Sequence, residues 1–134
     1  PMPAYSATVL DHFQNPRNLG EIDLPDAVAD VENPACGDRA RLSLRIVDGY
    51  ITEARFLAEG CPAAIAAASM TTVLLTGATL AEARALRDVD VAAALDGLPP
   101  NKVHCSVLAE DVIREALDAY DAAVPSPRGG PATA

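Results

Sequence analysis

The chain has 134 residues, 50% of them hydrophobic, and a formal net charge of −9. This length and apolar content are enough for one compact domain that needs no disulfide bonds. Because contacts to phosphates need clustered Lys and Arg, and because no apolar run approaches the roughly 18 residues of a membrane span, we expect neither nucleic acid nor a membrane among its partners.

The N-terminal half of the chain predicts one helix followed by strands. Apolar residues at Val9, Leu10 and Phe13 indicate a short helix within 5–13, which Asn-Pro at 15–16 ends. Two later stretches, 41–46 and 52–58, alternate apolar and polar residues as half-buried strands do. We expect a small antiparallel sheet of about three strands, packed against several helices.

The two alternating stretches are joined by Asp-Gly at 48–49, a dipeptide typical of hairpin turns. A two-residue loop would place Leu44 opposite Glu53, whereas a three-residue loop over 47–49 places it opposite Thr52. Only the longer loop keeps one face of the hairpin apolar. We therefore expect three residues in the loop, with its glycine in the left-handed conformation.

The C-terminal half predicts helices. The segment that begins at Pro62 and stops at Gly77 is apolar nearly all round, which indicates a central, buried helix. Thr79 with Glu82 has the pattern of a capping box that opens a second helix. Asp88 is a candidate cap for a third, short helix.

The last helix is expected to be the longest, from about Val103 to Tyr120. Its apolar stripe comprises Val103, Val107, Leu108, Val112, Ile113, Ala116, Leu117 and Tyr120. The order of helix, strands and then helices predicts the α+β class. We expect a single domain over residues 1–123 and a disordered, Pro- and Gly-rich tail over 124–134.

All three cysteines stand at turns or at the ends of predicted elements. Cys36 lies in a Pro-Ala-Cys-Gly-Asp turn, Cys61 at the N-cap of the buried helix, and Cys105 beside His104 at the start of the last helix. A helix N-terminus stabilises a thiolate, which is the form that binds metal. Three thiolates with Asp38 or His104 as a fourth donor suit both zinc and an iron–sulfur cluster, and spacing alone does not choose between them.

An odd number of free cysteines fits a reducing compartment better than an extracellular one. The N-terminus shows no basic segment followed by an apolar one, as a secretory signal would. We therefore expect a cytoplasmic protein.

Several segments, taken together and in order, make the sequence resemble a known family. They are DHF at 11–13, NPRN at 15–18, PACGD at 34–38, GC at 60–61, LPPNKVHCS at 98–106 and LAED at 108–111. The sequence is similar to the U-type iron–sulfur cluster assembly scaffolds, the family of IscU and of the N-terminal domain of NifU. The resemblance covers most of the chain, and the combination is far more specific than any one segment.

The resemblance implies a set of site residues and a cargo. Cys36, Cys61 and Cys105 would hold a [2Fe–2S] cluster, with Asp38 or His104 as the fourth donor. Cys105 is the implied acceptor of a persulfide, and Asp38 is expected to keep the cluster labile so that it can be transferred. Fe²⁺ or Zn²⁺ would bind the same residues as precursor or competitor.

The resemblance also implies partners. These are a pyridoxal-phosphate cysteine desulfurase, cluster-acceptor proteins, and an Hsp70-type chaperone pair that reads the segment from Leu98 to Lys102. Asn101 stands where that segment usually has an apolar residue, and Pro62 follows Cys61 where the family usually has Gly. The sequence leaves open whether the resting state is a monomer or a cluster-bridged homo-oligomer.

Three other functions compete with a scaffold. A carrier that only accepts persulfide sulfur needs one reactive cysteine, and a zinc-stabilised interaction domain would hold its metal permanently. An enzyme needs a nucleophile, a base and an orienting group, and the sequence offers none beyond the same Cys and His, nor a phosphate-binding loop. We therefore expect a non-enzymatic scaffold.

Overall fold

A computed structural model describes residues 5–34 and 37–123 of the chain. In chain order the elements are α1 (Ala7–Gln14), β1 (Ala27–Glu32), β2 (Arg39–Val47), β3 (Tyr50–Glu59), α2 (Pro62–Leu75), α3 (Leu80–Ala85), α4 (Asp88–Ala94), a 3₁₀ turn (Pro100–Lys102) and α5 (His104–Ala123). The strands form one antiparallel sheet in the order β1-β2-β3. The predicted α+β class, with three strands and a long C-terminal helix, is confirmed.

One part of the sequence-based prediction, the C-terminal tail, falls outside the described residues. The expected disordered tail over 124–134 lies outside them, so the division into a domain over 1–123 and a tail stays a prediction. Within 5–34 and 37–123, no helix combines the length and the hydrophobicity that a membrane crossing requires.

The hairpin between β2 and β3 differs from its prediction in loop length. Val47 pairs with Tyr50, so only Asp48 and Gly49 form the loop. Both loop residues have positive φ, 53° and 79°. Two positive φ angles match the right-handed twist of the flanking strands, and Asp-Gly is well suited to them. The left-handed glycine was predicted correctly, whereas the three-residue loop was wrong.

The predicted register of the same hairpin is also wrong, because the strand pairing contains an irregularity. An irregularity between Arg45 and Ile46 shifts the pairing by one residue, so that Leu44 lies opposite Ala54. Ile51 and Ala54 are both buried although they are three residues apart, and Thr52 between them is exposed. A bulge thus reconciles the tight turn with an apolar face, which the longer loop was meant to provide.

Helix α2 is the centre of the fold, as its composition predicted. Ten of its 14 residues are buried, between β3 on one side and α1, α4 and α5 on the others. Cys61 is its N-cap residue and Pro62 its first helical residue. The burial of this helix fixes where its N-terminus lies in the molecule.

The other helices confirm most of the predicted caps. Thr79 and Glu82 form the predicted capping box of α3. In α4 the N-cap is Arg87 rather than Asp88, because the Arg87 N–H is taken by the side chain of Asp90 at 2.9 Å. Asp88 is instead the first residue of the helix.

The apolar stripe of α5 was predicted correctly along most of its length but not at its start. Val103 and Val107 are 44% and 40% exposed. Val103 belongs to the turn before the helix, and the buried face of the first turn is formed by Cys105 and Ser106 instead. The first turn of α5 therefore presents a thiol to the interior where an aliphatic side chain was expected.

We predict that Phe56→Ala lowers the free energy of unfolding by roughly 3–5 kcal/mol, since Phe56 is one of the largest fully buried side chains. The matched control is Leu57→Ala on the adjacent residue, which is 39% exposed and should cost less than about 1 kcal/mol. Urea denaturation of the metal-free chain measures both. Equal losses of stability in the two variants would contradict the described orientation of β3, in which Phe56 is buried and Leu57 is exposed.

Candidate metal centre

Three element ends meet at one place and bring together residues that are far apart in the chain. Asp38 immediately precedes β2, Cys61 caps α2, and His104 and Cys105 begin α5. The connection between β1 and β2 is closed by hydrogen bonds from Asn33 N–H to the Asp38 carbonyl at 2.8 Å and from Gly37 N–H to the Asn33 carbonyl at 2.7 Å. This closed connection holds Asp38 at the start of its strand.

The donor atoms of the described site lie within coordination range of a single ion. One donor atom each of Asp38, Cys61 and Cys105 lies within 4.8 Å of the other two. The Sγ atoms of Cys61 and Cys105 are 3.7 Å apart, and the Cys105 thiol donates to Asp38 Oδ2 at 3.9 Å. Two thiolates bound to one tetrahedral ion at about 2.3 Å lie roughly 3.8 Å apart, so the geometry fits.

The histidine of the predicted set also reaches the site. His104 Nε2 is 3.6 Å from Asp38 Oδ2. The imidazole is therefore next to the carboxylate, and either group could act as a metal donor in addition to the cysteine thiolates. The structure brings together four of the five predicted residues: Asp38, Cys61, His104 and Cys105.

Cys36, the fifth predicted residue, lies outside the described residues. Its neighbour Gly37 has a φ of 76°, a conformation that side chains other than glycine rarely adopt. Since Gly37 and Asp38 lead directly to the site, Cys36 is two residues from a donor that is in place. Its membership of the site stays a prediction.

The surroundings of the Cys105 thiol oppose its ionisation when no cation is bound. Asp38 is 6% exposed and Cys105 is 1% exposed, whereas Cys61 is only partly buried. Burial raises the pKa of the Cys105 thiol strongly, and the neighbouring Cys61 and Asp38 raise it further, against a smaller lowering by Lys102. A bound cation would reverse this balance, because it deprotonates the thiols that coordinate it.

Lys102 is a cation at the edge of this site. Its ammonium pKa is raised, first by Cys61 and then by Tyr5, with smaller contributions from Cys105 and Asp38. The side chain stands in the turn that leads into α5. It thus offsets part of the negative charge that the thiols and the carboxylate can carry.

Gly60 is a site residue whose role was not predicted from the sequence. It has a φ of 152°, and a Cβ atom built on it would lie 2.8 Å from Asp38 Cγ and closer still to Oδ1. The Asp38 carboxylate therefore occupies the space that any side chain at position 60 would take. The sequence signals for Gly60 were its place directly before Cys61, at a strand-to-helix junction, and its membership of the GC segment at 60–61.

We predict that Gly60→Ala displaces the Asp38 carboxylate and weakens Co²⁺ binding, used as an optical probe, by about 10–100-fold, as loss of a supporting contact typically does. The matched control is Gly20→Ala. Gly20 has a similar φ of 132°, but a Cβ there would meet only Arg55 Cδ at 4.0 Å, so it tests backbone strain alone. Equal Co²⁺ affinities for the two variants would show that Gly60 does not position Asp38.

Comparison with known proteins agrees with this fold and donor set. The family model described as the NifU-like N terminal domain matches residues 4–125. The chain is 47% identical over 116 residues to the iron-sulfur cluster assembly scaffold protein IscU 1 of Archaeoglobus fulgidus, covering 87% of this chain and 76% of that protein. It is 46% identical over 121 residues to the iron-sulfur cluster assembly scaffold protein IscU of Escherichia coli, covering 87% of this chain and 94% of that protein.

A solved structure supports the same fold. The crystal structure of a nitrogen-fixing NifU-like protein (N-terminal) from Brucella abortus matches with a TM-score of 0.74 at 22% sequence identity. The match covers 89% of this chain and 95% of that chain. From the family model and the identity to curated relatives together, the chain belongs to the family of NifU-like N-terminal domains.

Proposed function

We propose that the protein is a scaffold on which a [2Fe–2S] cluster is assembled and from which it is passed to acceptor proteins. The observation that carries the proposal is the cluster of Asp38, Cys61 and Cys105 donor atoms, all within 4.8 Å of one another. Relatives at 46–47% identity are named iron-sulfur cluster assembly scaffold proteins, which supports the same role here. In this proposal Cys36 completes the thiolate set and His104 shares the remaining position with Asp38.

The donor set suits a cluster that must leave again. Thiolates favour iron–sulfur clusters and zinc, whereas a carboxylate oxygen is a harder and weaker ligand for both. The donors come from a loop and from two packed helices, so a small movement of the loop that carries Asp38 opens the site. A permanent zinc site is usually built from four Cys and His ligands, which makes Asp38 the feature that favours exchange.

Sulfur delivery is the second part of the proposal. A cysteine desulfurase would supply sulfur as a persulfide, with Cys105 as the acceptor. Because the Cys105 side chain is almost fully buried, delivery of sulfur to Cys105 requires the segment around Asp38 to move. We therefore include a partner-induced opening in the proposed mechanism.

The turn before α5 is the candidate contact for a chaperone. One residue, Val103, separates the 3₁₀ turn Pro100–Lys102 from His104, and Pro100 and Asn101 are exposed. We propose that an Hsp70-type chaperone pair binds here and pulls on the start of α5. Asn101 would weaken this contact relative to an apolar residue, without affecting the ligands themselves.

We predict that anaerobic reconstitution with iron and sulfide gives visible thiolate-to-iron charge-transfer bands, and that Cys36→Ala, Cys61→Ala and Cys105→Ala each lose them, because each removes one cluster ligand. Val107→Ala, two residues from Cys105 and 40% exposed, is the matched control and should reconstitute normally. Absorption spectroscopy under argon measures the bands. Normal spectra for all three cysteine variants would refute the scaffold proposal.

We predict that Asp38→Ala slows transfer of the cluster to an apo-ferredoxin acceptor, because His104, a better donor for this site than a carboxylate, then holds the position that the two residues share. Asp30→Ala is the control, because this carboxylate pairs with Arg39 and Arg41 on the sheet. Circular dichroism of the acceptor follows the transfer. An unchanged rate in Asp38→Ala would remove this carboxylate from the transfer step.

A further inference from the structure

The two described cysteines lie close enough to react with each other. Cys61 and Cys105 are both free thiols, and their Sγ atoms are 3.7 Å apart. A disulfide bond has an S–S length of about 2.05 Å, so the two sulfurs must approach by roughly 1.7 Å. Each cysteine lies at the N-terminal end of a packed helix, α2 or α5, which limits how far the two can move apart.

Cluster assembly on this site poses a redox problem. Sulfur carried on a thiol as a persulfide is sulfane sulfur, whereas the bridging atoms of a cluster are sulfide, which is two electrons more reduced. Two thiols that join as a disulfide release two electrons. The pair at Cys61 and Cys105 therefore has the right electron count for one sulfur atom.

We propose, on the basis of the proposed function, that Cys61 and Cys105 form a dithiol couple that reduces sulfane sulfur to sulfide within the site. First, a persulfide donor R–S–SH transfers its terminal sulfur to one of the two thiols and leaves as R–SH. Then the second cysteine, as thiolate, attacks the Sγ atom of the first. The Sγ–Sγ bond forms, the bond from Sγ to the terminal sulfur breaks, and hydrosulfide leaves with the electron pair.

The overall reaction balances in atoms and in electrons. Two protein thiols and R–S–SH give the Cys61–Cys105 disulfide, R–SH and H₂S, so the cysteine pair loses two electrons and the sulfane sulfur gains them. The products are the same whichever cysteine accepts the sulfur first. Cys61, being partly exposed, can accept it without the opening that Cys105 requires. An external dithiol then restores the pair for another cycle.

The test uses the full-length, reduced, metal-free chain and one equivalent of glutathione persulfide, without oxygen and without iron. Sulfide release is measured by trapping with a bimane reagent, and disulfides are mapped by mass spectrometry of non-reduced peptides. The wild-type chain should release one equivalent of sulfide above the protein-free blank and show the Cys61–Cys105 link. Val107→Ala should behave in the same way.

Cys61→Ser and Cys105→Ser should release no more sulfide than the blank. Each variant should retain the sulfur as a persulfide on the unchanged cysteine of the Cys61–Cys105 pair. Release at the wild-type level by either variant, or a wild-type disulfide that links Cys36 instead, would overturn the proposal. The mapping of the wild-type chain does not depend on how well the variants fold. Because iron is absent, failure here leaves cluster assembly untouched, and failure of reconstitution leaves this result untouched.

Discussion

The burial of α2 on nearly all sides is the constraint from which the site follows. A helix with ten buried residues of 14 cannot shift along its axis without opening the core. Its N-cap, Cys61, is therefore held at one fixed end of the molecule. Helix α5 packs against the same sheet and against α2, so Cys105 in its first turn arrives beside Cys61. The close approach of the candidate donor atoms is thus a consequence of how the core is filled.

The folded chain holds the donor side chains close together, although their negative charges would repel one another. Two thiols and the Asp38 carboxylate share a partly buried space, and burial with the neighbouring groups raises the pKa of the Cys105 thiol. Lys102 supplies one compensating charge at the edge. In the proposed function, a positively charged iron centre would relieve the remaining repulsion and favour loading, while the oxygen donor would keep the affinity below that of a four-thiolate site. This balance is what a scaffold needs, since its cargo must both form and leave.

Much of this arrangement was predictable from local sequence, and the rest depends on contacts between distant segments. The N-cap position of Cys61 followed from Pro62 after it, and the capping box of α3 followed from its own residues. The hairpin register was mispredicted because it depends on a bulge near Thr52. That bulge allows the neighbours Ile51 and Ala54 to be buried together in the core, and the local sequence pattern does not reveal this burial. The close approach of Asp38 to Gly60 joins residues from different strand ends, so only the folded chain shows it.

We propose that the cysteine and aspartate set holds an exchangeable iron–sulfur cluster and not a permanent zinc ion. Chemical analysis of iron, zinc and acid-labile sulfide in the chain, isolated and then reconstituted without oxygen, tests this most directly. If the chain holds an exchangeable cluster, iron and sulfide are bound in equal amounts and zinc is displaced on reconstitution. Zinc that stays bound at one ion per chain, with no acid-labile sulfide retained, would contradict it.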